Sequence, residues 1–182
     1  DFLEANEEYS MCFHNSYILN SEYNRFIGKH KIYKYSQDAV LEHILRDGGF
    51  IPTQSILMRK SCLSGYDSFP SNCPVGDLML QTFLALNGKI YYMNEIMAVY
   101  RKWEMSSTSI VINDTKKYIN HHKKFIEWYK SLDEYLNKKY NIEIEKSIVF
   151  SNARIAIAEK DFKQLKNPLY KDFIAYKSLL PR

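Results

Sequence analysis

Few residues in this chain stand where they could do chemistry, and Asp77 leads them. It follows Pro74-Val75-Gly76 and opens the apolar run Leu78 to Leu86, which stops at Asn87-Gly88. That pattern predicts a short helix from Asp77 to Asn87 with a carboxylate on its first turn. The positive end of a helix favours an ionised carboxylate, which could serve as a base. Asp is also a preferred helix cap, so an ordinary N-cap is the competing reading. Arg101, in Val99-Tyr100-Arg101-Lys102-Trp103, offers a guanidinium whose fixed pair of donors suits phosphate oxygens, or a plain surface charge at a strand end. Trp103 could stack on a planar ligand face or pack. Thr53, Gln54 and Ser55 carry hydroxyl and amide groups able to bind a ligand's hydroxyls, or to build a loop beside Pro52. His14 and Asn15 close an apolar run, where a lone His is usually a hydrogen-bonded core residue.

Other chemistries are excluded by spacing. His121 and His122 point about 100° apart on a helix and cannot share a metal ion. Cys12, Cys62 and Cys73 are an odd set without CxxC spacing, so neither a disulfide framework nor a zinc site is signalled and a reducing compartment is the default. The chain contains no Asp-x-Asp, no GxGxxG and no GxxxxGK[ST].

The elements that must position these residues begin with Phe2 to Ala5, the last turn of a helix closed by Asn6. Tyr9 to Leu19, rich in aromatics, suits a strand buried on both faces, as in a parallel α/β sheet. Residues 20 to 36 read as a loop or short excursion. A helix over Asp38 to Arg46 follows, ended by Asp47-Gly48-Gly49. Phe50 to Arg59 reads as a second strand with Pro52 near its start. Lys89 to Met93 and Ala98 to Arg101 form one strand or two, and Ser106 to Ser109 a loop. After about residue 113 the pattern turns helical. Tyr118, His122, Phe125, Tyr129, Leu132, Leu136 and Tyr140 mark one face of a long amphipathic helix. Ile144, Ile148, Ile155 and Ala158 suggest a second helix. Pro168 interrupts a third segment, beyond which Phe173, Ile174 and Tyr176 suggest another. The division expected is an α/β part over 1–112 and a helical extension over 113–182.

The 182 residues are 46% hydrophobic and 25% charged, with 15 Tyr, enough apolar material for a core. The net charge of +4 is too small for a nucleic-acid binder, and it permits only a weak attraction to an anionic membrane surface. No apolar run approaches the ~20 residues of a membrane helix, and no signal peptide opens the chain. A start at Asp1 rather than Met suggests a fragment or a processed chain.

Three passages together resemble the second half of a GT-A fold. Phe2 to Asn6 with Tyr9 to Asn15 is similar to the helix and strand that follow the DxD strand in family 2 glycosyltransferases. Phe50 to Lys60 resembles the next central strand of that family. Val75-Gly76-Asp77-Leu78, the helix through Asn87-Gly88, Lys89-Ile90-Tyr91-Tyr92 and Val99-Tyr100-Arg101 fall in the family's order. The resemblance covers roughly residues 1 to 109. It implies a partial GT-A-type mixed sheet with flanking helices, the acceptor-side half of an inverting enzyme, cut before the DxD region. It also implies that Asp77 is the catalytic base, that Arg101 and Trp103 lie near the donor diphosphate, and that Thr53, Gln54, Ser55 and His14 face the acceptor. Many relatives carry a His two positions after that Arg; Trp103 stands there instead, which puts metal ligation from this side in doubt.

The expectation is an enzyme part whose full-length parent moves a sugar from a nucleotide sugar to a glycan or lipid-linked acceptor, in envelope polysaccharide synthesis. The parent would use Mn²⁺ or Mg²⁺, whereas this stretch binds no metal and is inactive alone. It would lie in the cytoplasm, peripheral to the inner face of the membrane, and its uncovered sheet edge would favour a homo-oligomer. The competing class is a noncatalytic interaction or membrane-surface module built on the basic helices.

Overall fold

The aromatic-rich run after Asn6 folds into the strand β1 (Tyr9–Asn20), and a mixed sheet is built outward from it. The structure, a computed structural model, describes residues 2–30, 38–47, 50–161, 163, 165 and 170. The chain divides into two compact units, Asp1–Phe69 with Val75–Ser106, and Pro70–Pro74 with Ser107–Arg182.

The first unit is a five-stranded mixed sheet with flanking helices. β1 pairs in parallel with β5 (Lys89–Lys102), from Tyr9 opposite Lys89 to Asn20 opposite Lys102. With one edge of β1 taken by β5, the other is shared. β4 (Leu57–Met58) lies antiparallel to Met11 and Cys12, and β2 (Arg25–Lys29) lies antiparallel to Tyr17 through Asn20. β3 (Asp38–Ala39) is antiparallel to the start of β5. Tyr9 to Phe13 are buried, as a strand covered on both faces must be, whereas β2 is exposed throughout.

Helix α1 (Phe2–Ala5) ends as expected at Asn6, whose Nδ2 donates to the Phe2 carbonyl at 2.8 Å. Arg59 then gathers the chain entry. Its Nη2 donates to the carbonyls of Leu3 and Asn6, and its Nε donates to that of Tyr9 at 3.1 Å. One guanidinium thereby satisfies carbonyls at a helix end that have no partner within the helix. Helix α2 (Leu41–Asp47) buries Leu41, Ile44 and Leu45; its expected terminators Gly48 and Gly49 lie outside the described residues. Helix α3 (Gly76–Leu86) buries Leu78, Phe83 and Leu84, with the Phe83 ring 5.1 Å from Tyr66 and 5.2 Å from Phe69. Gly88 joins α3 to β5 where the start of β1 comes close. A Cβ there would stand 2.8 Å from the Ser10 nitrogen and 3.0 Å from the Glu8 carbonyl oxygen.

Three expectations are corrected in this unit and just beyond it, and one open alternative is settled. Phe50 to Arg59 is not one strand: Pro52 has no N–H to give a ladder, and the backbone N–H and hydroxyl of Ser55 both return to the Pro52 carbonyl, at 2.9 and 2.6 Å. A 3₁₀ turn over Thr53–Ser55 results, and only Leu57–Met58 pairs. The excursion from residue 20 contains β2, because the Asn20 side chain accepts from the N–H groups of Glu22 and Tyr23 and turns the chain back. Residues 31 to 37 lie outside the described residues. Of the one strand or two expected after Gly88, the structure has one, Lys89 to Lys102, carrying register shifts opposite His14 to Ser16. The loop expected at 106–109 is instead the start of helix α4 (Ser107–Asn113), a short helix held by packing against the next one.

In the second unit the long amphipathic helix is present as α5 (Thr115–Tyr135), capped by Asp114, whose Oδ1 accepts from the Lys117 N–H at 3.0 Å. It is shorter than the apolar face suggested. Asn137 and Lys138 take left-handed conformations, and Tyr140 is the N-cap of the partner helix α6 (Asn141–Ala158) rather than the tail of α5. The C-terminal helical pair buries His122, Trp128, Tyr129 and Leu132 of α5 with Ile144, Ala153, Ile155 and Ala156 of α6. Trp128 is fully buried and donates Nε1–H to the Pro70 carbonyl at 3.1 Å. The segment interrupted at Pro168, with Phe173, Ile174 and Tyr176, lies outside the described residues. Among the described residues no helix is long and apolar enough to cross a membrane.

Two measurements check this packing. Gly88→Ala forces Cβ onto the backbone of Ser10 and should cost about 1–3 kcal/mol in urea unfolding. Gly76→Ala, with nothing within 4 Å of the new carbon, should be neutral or mildly stabilising. Burial first, then the charge of Arg154 and the neighbouring His121, lowers the pKa of His122 to about 4. The unfolded chain takes up that proton near 6.5, so stability is complete above this pH and falls as pH drops towards 4. His122→Phe should remove about 1–3 kcal/mol of that decline between pH 7 and 4.5. An unchanged slope would contradict the burial.

Candidate functional site

Gly76 and Asp77 form the first turn of α3, after Val75 in an extended conformation at the N-cap. Asp77 is therefore the second helical residue and not the cap, which corrects the capping reading. Its Oδ1 accepts from the Leu78 N–H at 2.8 Å, and that bond fixes the carboxylate on the first turn. Its Oδ2 accepts from the Thr53 hydroxyl at 2.5 Å. The helix end stabilises negative charge at this position, and one carboxylate oxygen is in contact with an alcohol O–H.

Thr53 reaches Asp77 because of the 3₁₀ turn that replaces the expected strand. Pro52 fixes the entry to the turn, and Ser55 closes it from below. The turn packs on both β1 and β5, so the two central strands set its height. Thr53 and Gln54 are exposed, whereas Ser55 is 4% exposed with its hydroxyl spent on Pro52. Of the three, Thr53 and Gln54 can face a ligand, and Ser55 holds the turn.

The remaining candidates lie on β1 and β5 or just past β5. His14, half-buried on β1, has Nδ1 2.9 Å from the Asn15 carbonyl oxygen. Arg101 lies near the far end of β5, opposite Leu19, and its side chain is exposed without a hydrogen bond or ion pair among the described residues. Trp103 follows β5 and is 56% exposed. The structure thus brings Asp77 and Thr53 together, and no hydrogen bond among the described residues joins His14 or Arg101 to either. Among the described residues no three His, Cys, Asp or Glu side chains gather as a metal site would need.

Two residues were missed by reading the sequence. Arg59, part of an apparent strand end, is the clamp on the carbonyls of Leu3, Asn6 and Tyr9. Gln81, one helical turn after Asp77, is 1% exposed with Oε1 lacking a partner among the described residues. Its spacing of four from Asp77 was the available signal, since it puts both on one side of the helix.

The chain matches no protein-family model, no curated protein and no solved structure.

Proposed function

We propose that the α/β unit is the acceptor side of an inverting nucleotide-sugar glycosyltransferase with a GT-A-type sheet, and that Asp77 is its base. The observation that carries this reading is the Thr53 hydroxyl lying on the Asp77 carboxylate. An acceptor hydroxyl needs the same partner. Taking the place of Thr53 Oγ1, it would give its proton to Oδ2 as its oxygen bonds the anomeric carbon. The bond from that carbon to the diphosphate breaks in the same step, and the electron pair leaves on the phosphate oxygen. Leu78 N–H keeps the carboxylate oriented throughout.

Gln54 and Thr53 would meet the acceptor's other hydroxyls, and Arg101 with Trp103 would serve the donor diphosphate only after approaching Asp77. A divalent cation, which this reading brings with it, finds no fitting donor set among the described residues, and no step here runs through it. Neither do the 182 residues contain an Asp-x-Asp motif, so the donor site is assigned to a separate part of the full-length protein. The setting that suits such an enzyme is the cytoplasm beside the inner membrane face, with a glycan or lipid-linked acceptor.

The test is transfer from a panel of nucleotide sugars with Mn²⁺ or Mg²⁺. Residues 1–182 alone should neither bind the panel saturably in calorimetry nor turn it over. In the full-length protein, Asp77→Asn should lower turnover about 10²–10⁴-fold with little change in donor affinity. Tight donor binding by residues 1–182, or full activity of the Asn variant, would overturn the reading.

A further inference from the structure

The helical unit carries a second constellation that the α/β chemistry does not use. An open recess of about 340 Å³ is lined by Ile112, Thr115, Tyr118, Arg154, Ile157 and Ala158, a size at the lower end of small-ligand sites. Ile112 comes from α4, Thr115 and Tyr118 from the first turns of α5, and the other three from the last turns of α6. Its wall is apolar, made of two Ile and one Ala, and its polar end is a guanidinium beside a phenol.

That guanidinium is under-satisfied. Arg154 Nη1 donates to the Tyr118 hydroxyl at 2.9 Å, and the group lies 4.4 Å from the Phe150 ring centre. Nε is sealed from solvent without an acceptor, and no carboxylate pairs with Arg154 among the described residues. His122, one turn beyond Tyr118 with ring centres 4.6 Å apart, is 8% exposed, and its Nδ1 is likewise without a partner. It stays neutral near pH 7 and does not offset the charge. The Arg154 charge in turn holds the pKa of His122 down, after burial, so this neighbour adds no negative charge beside the guanidinium. A half-buried cation with an unmet donor favours an anion, and a carboxylate matches the planar fork of Arg best. Tyr118, already accepting from Nη1, keeps its own proton to donate.

We propose that this recess binds a small organic carboxylate, with its charged head on Arg154 and Tyr118 and its hydrocarbon body along Ile112, Ile157 and Ala158. The site is independent of the α/β unit and stands or falls separately from Asp77.

The experiment titrates the full chain with hexanoate, acetate and hexanol, following the methyl signals of Ile157 and Ala158 by NMR. Hexanoate should saturate those signals with an affinity at least about tenfold, or ~1.4 kcal/mol, above that of either truncated probe. Arg154→Met should lose that advantage while leaving hexanol binding unchanged, and Tyr118→Phe should lose part of it. Hexanoate binding no better than hexanol, or shifts centred elsewhere, would overturn the proposal. The comparison of three probes on the unmodified chain decides the matter even if Arg154→Met does not fold.

Discussion

The parallel pairing of β1 with β5 is the constraint on which the α/β unit depends. It runs from Tyr9 and Lys89 to Asn20 and Lys102, and the remaining strands attach to one of these two. Parallel strands need a covered connection between them, and here that connection ends in α3 and the Asn87-Gly88 turn. The turn is tight enough that the Lys89 N–H reaches the Glu8 carbonyl at 2.9 Å, and only a residue without a side chain fits beside Ser10. Arg59 ties the opposite border, joining the end of α1 and the start of β1 to the segment that leaves β4. These two points fix both ends of the chain's entry into the sheet.

Their consequence for function is the meeting of Thr53 with Asp77. A regular strand over residues 50 to 59 would have paired the backbone at Thr53 and turned its side chain by the alternation of the pleat. Pro52 interrupts that ladder, and the resulting 3₁₀ turn presents Thr53 outward on β1 and β5. The carboxylate comes from a different element, the first turn of α3, where the helix end steadies its charge. A carboxylate placed this way has one oxygen held by the backbone and one in contact with an alcohol.

Much of this was legible in the sequence, for reasons that can be named. The cores of α3 and α5 follow from apolar spacing, and the buried start of β1 follows from the nearly continuous run Tyr9 to Phe13. Asn6 and Asn87-Gly88 are local signals read correctly as boundaries, whereas the Asp114 cap was not read from the sequence. The errors cluster where a side chain redirects the backbone. Asn20 closes a hairpin that looked like loop, and Ser55 closes a 3₁₀ turn that looked like strand. Tyr140 continued an apolar period that the left-handed residues Asn137 and Lys138 had already ended. Asp77 was found by its place before an apolar run, but its bond to Thr53 depends on a turn that no periodicity announces. Arg154 and Tyr118, 36 residues apart, meet only because two helices pack.

Both units thus place one charged side chain beside a hydroxyl, with opposite sign. In the helical unit a guanidinium meets a phenol; in the α/β unit a carboxylate meets an alcohol. In the proposed reaction the second pair acts: a single carboxylate would activate the acceptor for direct attack, with no covalent intermediate on the protein. The anomeric configuration of the first-formed product, read by proton NMR during transfer by the full-length protein, tests it most directly. The account predicts a product of opposite configuration to the donor. Retention would require a second displacement that one base at Asp77 does not provide, and would contradict the account.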